Sequence, residues 1–105
     1  MDAALKALAE PRRREILRLV WRQEMAATDI ADHFHDVTRS AISQHLGVLK
    51  SANLVTERRD GTRRLYRAQQ DEIKKLRRFL DDYWTTGLER LRDVAEAAQR
   101  EKENH

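Results

Sequence analysis

The sequence predicts a mainly α-helical fold that carries one small β-hairpin, in the order α-α-α-α-β-β-α. Three observations predict it. Apolar residues recur at the 3.6-residue helical period on both sides of the chain's middle. That period gives way to strand-like sequence at one place, around an Asp-Gly pair flanked by β-formers. Residues 1–70 hold 13 Lys/Arg against 9 Asp/Glu, while 71–105 hold 8 against 9, so the positive excess lies in the part that contains the hairpin.

At 105 residues the chain reads as a single domain, 1–105, with a modest core. It has no cysteine, which excludes disulfides and thiolate metal sites. No apolar run approaches the roughly 20 residues of a membrane span, and the N-terminus lacks the apolar core of a signal peptide, so the expected location is the cytoplasm, with no membrane partner.

Taken in order, Asp2 is expected to cap a short first helix with Leu5 and Leu8 on one side. Pro11 restarts the chain as a second helix to about Arg22, since proline suits a first helical turn. It should bury Ile16, Leu19 and Val20 and leave Arg12, Arg13, Arg14 and Arg18 as a solvated face beside Glu10 and Glu15. Residues 23–27 read as a connection, and Thr28 as the N-cap of a short helix to about Phe34, packed through Ile30, Ala31 and Phe34. His35-Asp36-Val37 is the turn, and Thr38 caps the next helix. There Ile42, Leu46 and Leu49 face inward at i, i+4, i+7, while Ser40, Ser43, Gln44, Gly47 and Ser51 lie on the other side, none bulky and apolar. Short helix, turn and longer helix over 28–52 make the helix-turn-helix pattern, whose second helix enters the major groove of DNA.

Residues 54–67 form the wing, with strands over 54–58 and 63–67 and Asp60-Gly61 supplying the tight turn between them. The whole is a winged helix-turn-helix. From Asp71 the helical period returns for about 29 residues, to about residue 100. Ile73, Leu76, Leu80, Tyr83, Gly87, Leu91, Val94 and Ala98 follow the alternating 3 and 4 spacing of a coiled-coil seam, widened by Phe79, Trp84, Leu88 and Ala95. A helix on the order of 40 Å long exceeds what so small a domain can cover, so the stripe implies a second copy of the chain. Residues 99–105 read as a frayed end.

Thr38 to Arg67 holds seven Lys/Arg against Glu57 and Asp60, a net +5 that reads as a nucleic-acid footprint on double-stranded DNA. Gln44 is the base-reading candidate, because its amide can bond adenine N6 and N7 together. Thr38, Arg39, Ser40 and Ser43 are assigned to bases or phosphates and Lys50 to phosphate. Of Arg58, Arg59, Arg63 and Arg64, those nearest Gly61 should reach the groove while the others hold the backbone. His33 and His35, at i, i+2, do not face each other on a helix, and His45 reads as packed or phosphate-bonding. No nucleophile–base pairing or Gly-rich phosphate loop supports an enzyme, and no catalytic residue is assigned.

The segments LKALAEPRRREILRLV at 5–20, AISQHLGVLKSANLV at 41–55 and RRDGTRRLYR at 58–67 together resemble the arsenical-resistance repressor (ArsR/SmtB-type) family of bacterial winged-helix regulators. The resemblance implies a homodimer joined through the first and last helices. Leu5 and Leu8 would meet Ile73, Leu76, Leu80, Tyr83, Trp84, Gly87, Leu88, Leu91 and Val94 there. It also implies repression from a palindromic operator, the chain's own promoter included. The run Asp82–Leu88 is similar to a metal-independent subgroup. Two features depart from the family. The turn at His35-Asp36-Val37 is one residue longer than usual, and Ala26 and Thr28 stand where metal-sensing members carry thiolates. The last helix also has no histidine before His105, so no metal and no cofactor are expected, and no effector is assigned. The alternatives are a metal- or ligand-responsive sensor of the same fold that releases DNA, and a protein-interaction module.

Overall fold

A computed structural model describes residues 2–103, so His105 and the tip of the expected frayed end lie outside the described residues. Residues up to Ile73 form one unit and those from Lys74 a second.

In the first unit α1 (Asp2–Leu8) precedes α2 (Pro11–Leu19). Asp2 stands in the first turn of α1 rather than at a cap, and the α1 residue that enters the core is Ala7, while Leu5 is exposed. Glu10 caps α2, its carboxylate accepting the Arg13 N–H at 3.1 Å, with Pro11 at the first helical position. The helix stops at Leu19, three residues short of the expected end, with Val20 as C-cap. Ile16, Leu17 and Val20 are therefore the buried group, and Leu19, one position off that face, is only half-buried.

The expected connection at 23–27 contains a short strand, β1 (Met25–Ala26), which runs directly into α3 (Ala27–Asp32). Ala26, extended at φ −68 and ψ 147, is the N-cap residue and offers no side-chain cap bond, so Thr28 lies inside the helix and is exposed. After a connection over 33–38, α4 (Arg39–Ser51) begins at Thr38, whose hydroxyl accepts the Ala41 N–H at 3.1 Å as the cap rule requires. Ile42, Leu46 and Leu49 are buried, as the spacing predicts.

The end of α4 is closed by a left-handed cap. Asn53 takes φ 64, its N–H donates to the Lys50 carbonyl at 3.0 Å, and the Leu54 N–H donates to the Leu49 carbonyl at 2.9 Å. These are the two bonds of a Schellman motif, with buried Leu49 and Leu54 as its apolar contact. β2 (Val55–Asp60) follows at once and returns through β3 (Arg63–Ala68). Asp60 pairs with Arg63, so the turn residues are Gly61-Thr62 and not Asp60-Gly61. Gly61 alone of the two has positive φ (62), the pattern of a type II′ turn. The sheet has three strands rather than two, ordered β1-β3-β2, because Met25 and Ala26 pair with Tyr66 and Leu65.

α5 (Gln70–Glu103) starts in the first unit and forms all that is described of the second. It is helical through Glu103, so the expected fraying is not seen over 99–103. Leu76 is buried, but Phe79, Leu80, Tyr83, Trp84, Leu88, Leu91 and Val94 are all between 42% and 71% exposed. Ile73 and Leu8 are half-buried against the core of the first unit. Leu8 and Ile73 therefore spend apolar surface within the first unit, and on α5 the uncovered stripe begins at Phe79. No helix among the described residues is long and apolar enough to cross a membrane.

Candidate nucleic-acid interface

The α4 face turned away from the core exposes Ser40, Ser43, Gln44, Gly47 and Ser51, as the spacing requires. Val48 is 41% exposed there as well, so the face carries one branched apolar residue that the sequence reading left out. Gly47 leaves open space: a Cβ built on it meets nothing within 4 Å. Thr38 and Arg39 are exposed at the helix start, and Lys50 near its end.

The wing arginines divide between the two faces of the hairpin. Arg58 lies opposite Leu65, and its Nε donates to both Glu24 carboxylate oxygens at 3.0 Å while Nη2 also bonds Glu24. Arg63 donates to Asp29 at 3.2 Å. These two point to the side where the residue before β1, Glu24, and α3, through Asp29, supply acids. Arg59 and Arg64 lie directly opposite each other on the other face, in line with Glu57 and Tyr66. Neither has a hydrogen-bond or ion-pair partner among the described residues. Like charges directly opposed across a strand pair are destabilising; the Glu57 carboxylate on the same face offsets Arg64 in part, without a hydrogen bond or ion pair to either guanidinium.

Two more cations have acid partners. Arg39 donates to Asp32 at 3.3 Å, and Lys50 to Glu57 at 3.1 Å. Glu57 also accepts the Tyr66 hydroxyl at 3.1 Å. The Lys50 ammonium holds the Glu57 carboxyl below its usual range, with Tyr66 adding to the effect, and Arg58 does the same for Glu24. Burial pushes the Tyr66 hydroxyl up, and the Glu57 charge reinforces it. Glu57 thus links the wing to α4 and Glu24 links it to the segment before β1, each acid holding more than one bond.

Arg14 and Arg18 of α2 are exposed and Arg12 reaches Glu15, as the sequence suggested, but Arg12, Arg13 and Arg14 also hold partners that it did not suggest. Arg13 donates from Nε to the Ala7 carbonyl at 2.6 Å and from Nη2 to the Lys6 carbonyl at 3.2 Å, and Arg14 donates to the Leu8 carbonyl at 2.8 Å. They satisfy carbonyls left open at the end of α1. Arg13 also approaches His45 Nδ1 at 3.4 Å, which ties α4 to that junction and makes His45 a packed residue. Arg12 bonds Asp36 and lies over the Phe34 ring, 5.6 Å from its centroid, fixing the connection before α4; Glu15 is within 3.8 Å of it. The Arg12 guanidinium lowers the Asp36 carboxyl.

The acids Glu24, Asp29, Asp32 and Asp36 went unassigned in the sequence. Their partners are 7 to 34 residues away, so no i, i+3 or i, i+4 pattern announces them. At the start of α3, Ala26 is buried and Thr28 presents a hydroxyl to solvent. His33 uses Nδ1 on the Asp29 carbonyl at 3.0 Å. Among the described residues no three His, Cys, Asp or Glu side chains converge as a metal site.

Comparison with known proteins meets this geometry directly. Residues 10–57, which hold the helix-turn-helix, match the family model described as "Bacterial regulatory protein, arsR family". The chain is 41% identical over 87 residues to the HTH-type transcriptional regulator Rv2034 of Mycobacterium tuberculosis, covering 83% of this chain and 80% of that one. It is 41% identical over 61 residues to the transcriptional repressor SdpR of Bacillus subtilis, covering 58% and 67%. Among solved structures, an ArsR-like transcriptional regulator from Rhodococcus sp. RHA1 superposes with a TM-score of 0.78 at 30% identity, over 92% of this chain and 91% of that one.

Proposed function

The chain belongs to the arsR family of bacterial regulatory proteins, and we propose that it is a sequence-specific DNA-binding repressor of transcription acting as a homodimer. The observation that carries the reading is one unit that presents both an exposed, largely polar α4 face and a wing with two arginines that have no hydrogen-bond or ion-pair partner among the described residues. The α4 face suits base edges and the wing suits phosphate or a narrow minor groove. The relative named as a repressor supports the sign of regulation.

Homodimerisation is supported by the α5 stripe. Seven large apolar side chains from Phe79 to Val94 stand largely in solvent in the single chain, and such a patch marks an association surface. Gly87 lies within the stripe and has open space over its Cα. A two-fold dimer would place two α4 helices in successive major grooves, about 34 Å apart on a palindromic operator. The double substitution Trp84→Glu with Leu91→Glu is expected to give a monomer by sedimentation velocity, with α4 and the wing still folded. It should weaken operator binding by roughly 100-fold or more, because the second half-site no longer contributes. A dimer that persists with both charges in place would remove α5 from the interface.

With a buried methyl and a free hydroxyl where metal-sensing relatives would carry thiolates, repression is proposed to be independent of thiophilic metals at that position. The direct test of the function is a gel shift on the promoter of the chain's own operon. Binding to a palindromic element is expected, and absence of any shift at low salt would overturn the reading. Gln44→Ala should flatten base preference at one position per half-site, a loss of about 1–3 kcal/mol of discrimination. A randomised-operator selection reads this out, and unchanged preferences would remove Gln44 from base recognition.

A further inference from the structure

The acids that meet the cations of this surface are of two kinds. Glu24 and Glu57 are partly buried and hold more than one bond: Glu24 takes Arg58 through three contacts, and Glu57 takes both Lys50 and the Tyr66 hydroxyl. Asp29 and Asp32 are 54% and 64% exposed, and each meets a single arginine. Asp29 meets Arg63 of the wing at 3.2 Å, and Asp32 meets Arg39 of α4 at 3.3 Å. Three residues apart on α3, they lie on one side of that helix. Ion pairs this open to water contribute little to stability, so the fold does not explain them. What they do share is placement. One helix sets a carboxylate against one cation from each of the two elements that face DNA.

We propose that Asp29 and Asp32 are affinity-limiting residues of the DNA interface, carboxylates that compete with backbone phosphate for Arg63 and Arg39. The proposal rests on the DNA-binding reading of the α4 and wing surface. For either arginine to grip a phosphate it must exchange one anion for another, and the released carboxylate is then left beside the phosphate chain. Both effects subtract from affinity. They act alike on every sequence, because phosphate contacts carry no base information. The base contacts of Gln44 and its neighbours are untouched, so operator choice stays the same while the grip on arbitrary duplex is loosened and its dissociation quickened.

The test uses the full chain and a duplex of arbitrary sequence, titrated by fluorescence anisotropy across a series of salt concentrations. Asp29→Asn and Asp32→Asn should each tighten binding by about fivefold. Each should steepen the log–log salt dependence by about 0.9 per arginine released in each protomer. Base preferences in a randomised-operator selection should not change. The gain from Asp29→Asn should vanish in an Arg63→Gln background, which separates a local exchange from a simple change in net charge. Asp71→Asn removes the same charge from a carboxylate that pairs with neither arginine, and should give less than about half of the gain in log affinity. Equal gains from Asp71→Asn, persistence of the Asp29→Asn gain without Arg63, or no gain at all would each overturn the proposal. If neither the native chain nor any variant bound duplex at low salt, the DNA-binding reading itself would fall. Native binding without a gain in the variants would sink only the role given to the two aspartates.

Discussion

Gly47→Glu is expected to leave the fold intact and to abolish operator binding. Gly47 is exposed in the middle of α4, and a Cβ there meets no atom within 4 Å. Replacing a glycine inside a helix relieves a penalty of about 0.5–1 kcal/mol. The thermal midpoint should therefore hold or rise slightly. The new carboxylate, however, projects from the same side as Ser43 and Gln44. In a DNA groove it would place a charge among acceptors and phosphates with no partner, so a loss of at least about 100-fold in operator affinity is expected. Circular dichroism melts and anisotropy on the same preparations separate the two effects. If the variant melts normally and binds within about threefold of the native chain, this side of α4 does not face DNA.

The second large effect is on stability. Leu49→Ala should destabilise the chain by about 3 kcal/mol, within the 2–5 kcal/mol range for large-to-small changes in a core. Leu49 is fully buried, and it is also the residue whose carbonyl takes the Leu54 N–H in the cap of α4. Truncating it opens a cavity beneath that cap and removes its contact with Leu54. A fall of roughly 15 °C in the thermal midpoint should follow for a domain of this size. Leu19→Ala, at a half-buried position one residue off the buried face of α2, should fall well short of that. Similar losses for the two would show that Leu49 does not hold the centre of the core.

What could be read from the sequence depended on whether a signal was local. The α4 face was legible because Ile42, Leu46 and Leu49 repeat at helical spacing and Thr38 is a good cap. The hairpin was legible from Asp60-Gly61, though β2 runs two residues further and β3 one, and the turn slides to Gly61-Thr62. β1 was not legible. Two residues are too few to show a period, and Met25 and Ala26 become a strand only because β3 offers them an edge. Thr28 failed as a cap for the same reason, since the strand delivers the chain into α3 two residues early, with Ala26 at the cap. The bonds of Arg13 and Arg14 were not legible, because their partners are main-chain carbonyls of α1, which no side-chain pattern reveals. The sorting of the wing arginines depends on strand register, and on acids up to 34 residues distant. Neither could be counted from Gly61.

The cap of α4 also determines where this chain can change length. Asn53 ends the helix, its side-chain oxygen takes the Gln69 amide at 2.8 Å, and the Leu54 carbonyl takes the Gln69 N–H at 2.8 Å. The base of the hairpin is thus stitched shut where the helix stops and both strands begin or end. An inserted residue at 52–54 would have to break that stitch or rotate α4 about its own axis. Between Gly61 and Thr62, both exposed at the far tip, an insertion would only lengthen a loop, at a closure penalty that grows slowly with size. Variation in wing length is therefore permitted at the tip and forbidden at the root. A lineage built on this fold can alter how far its wing reaches without altering how its recognition helix is aimed.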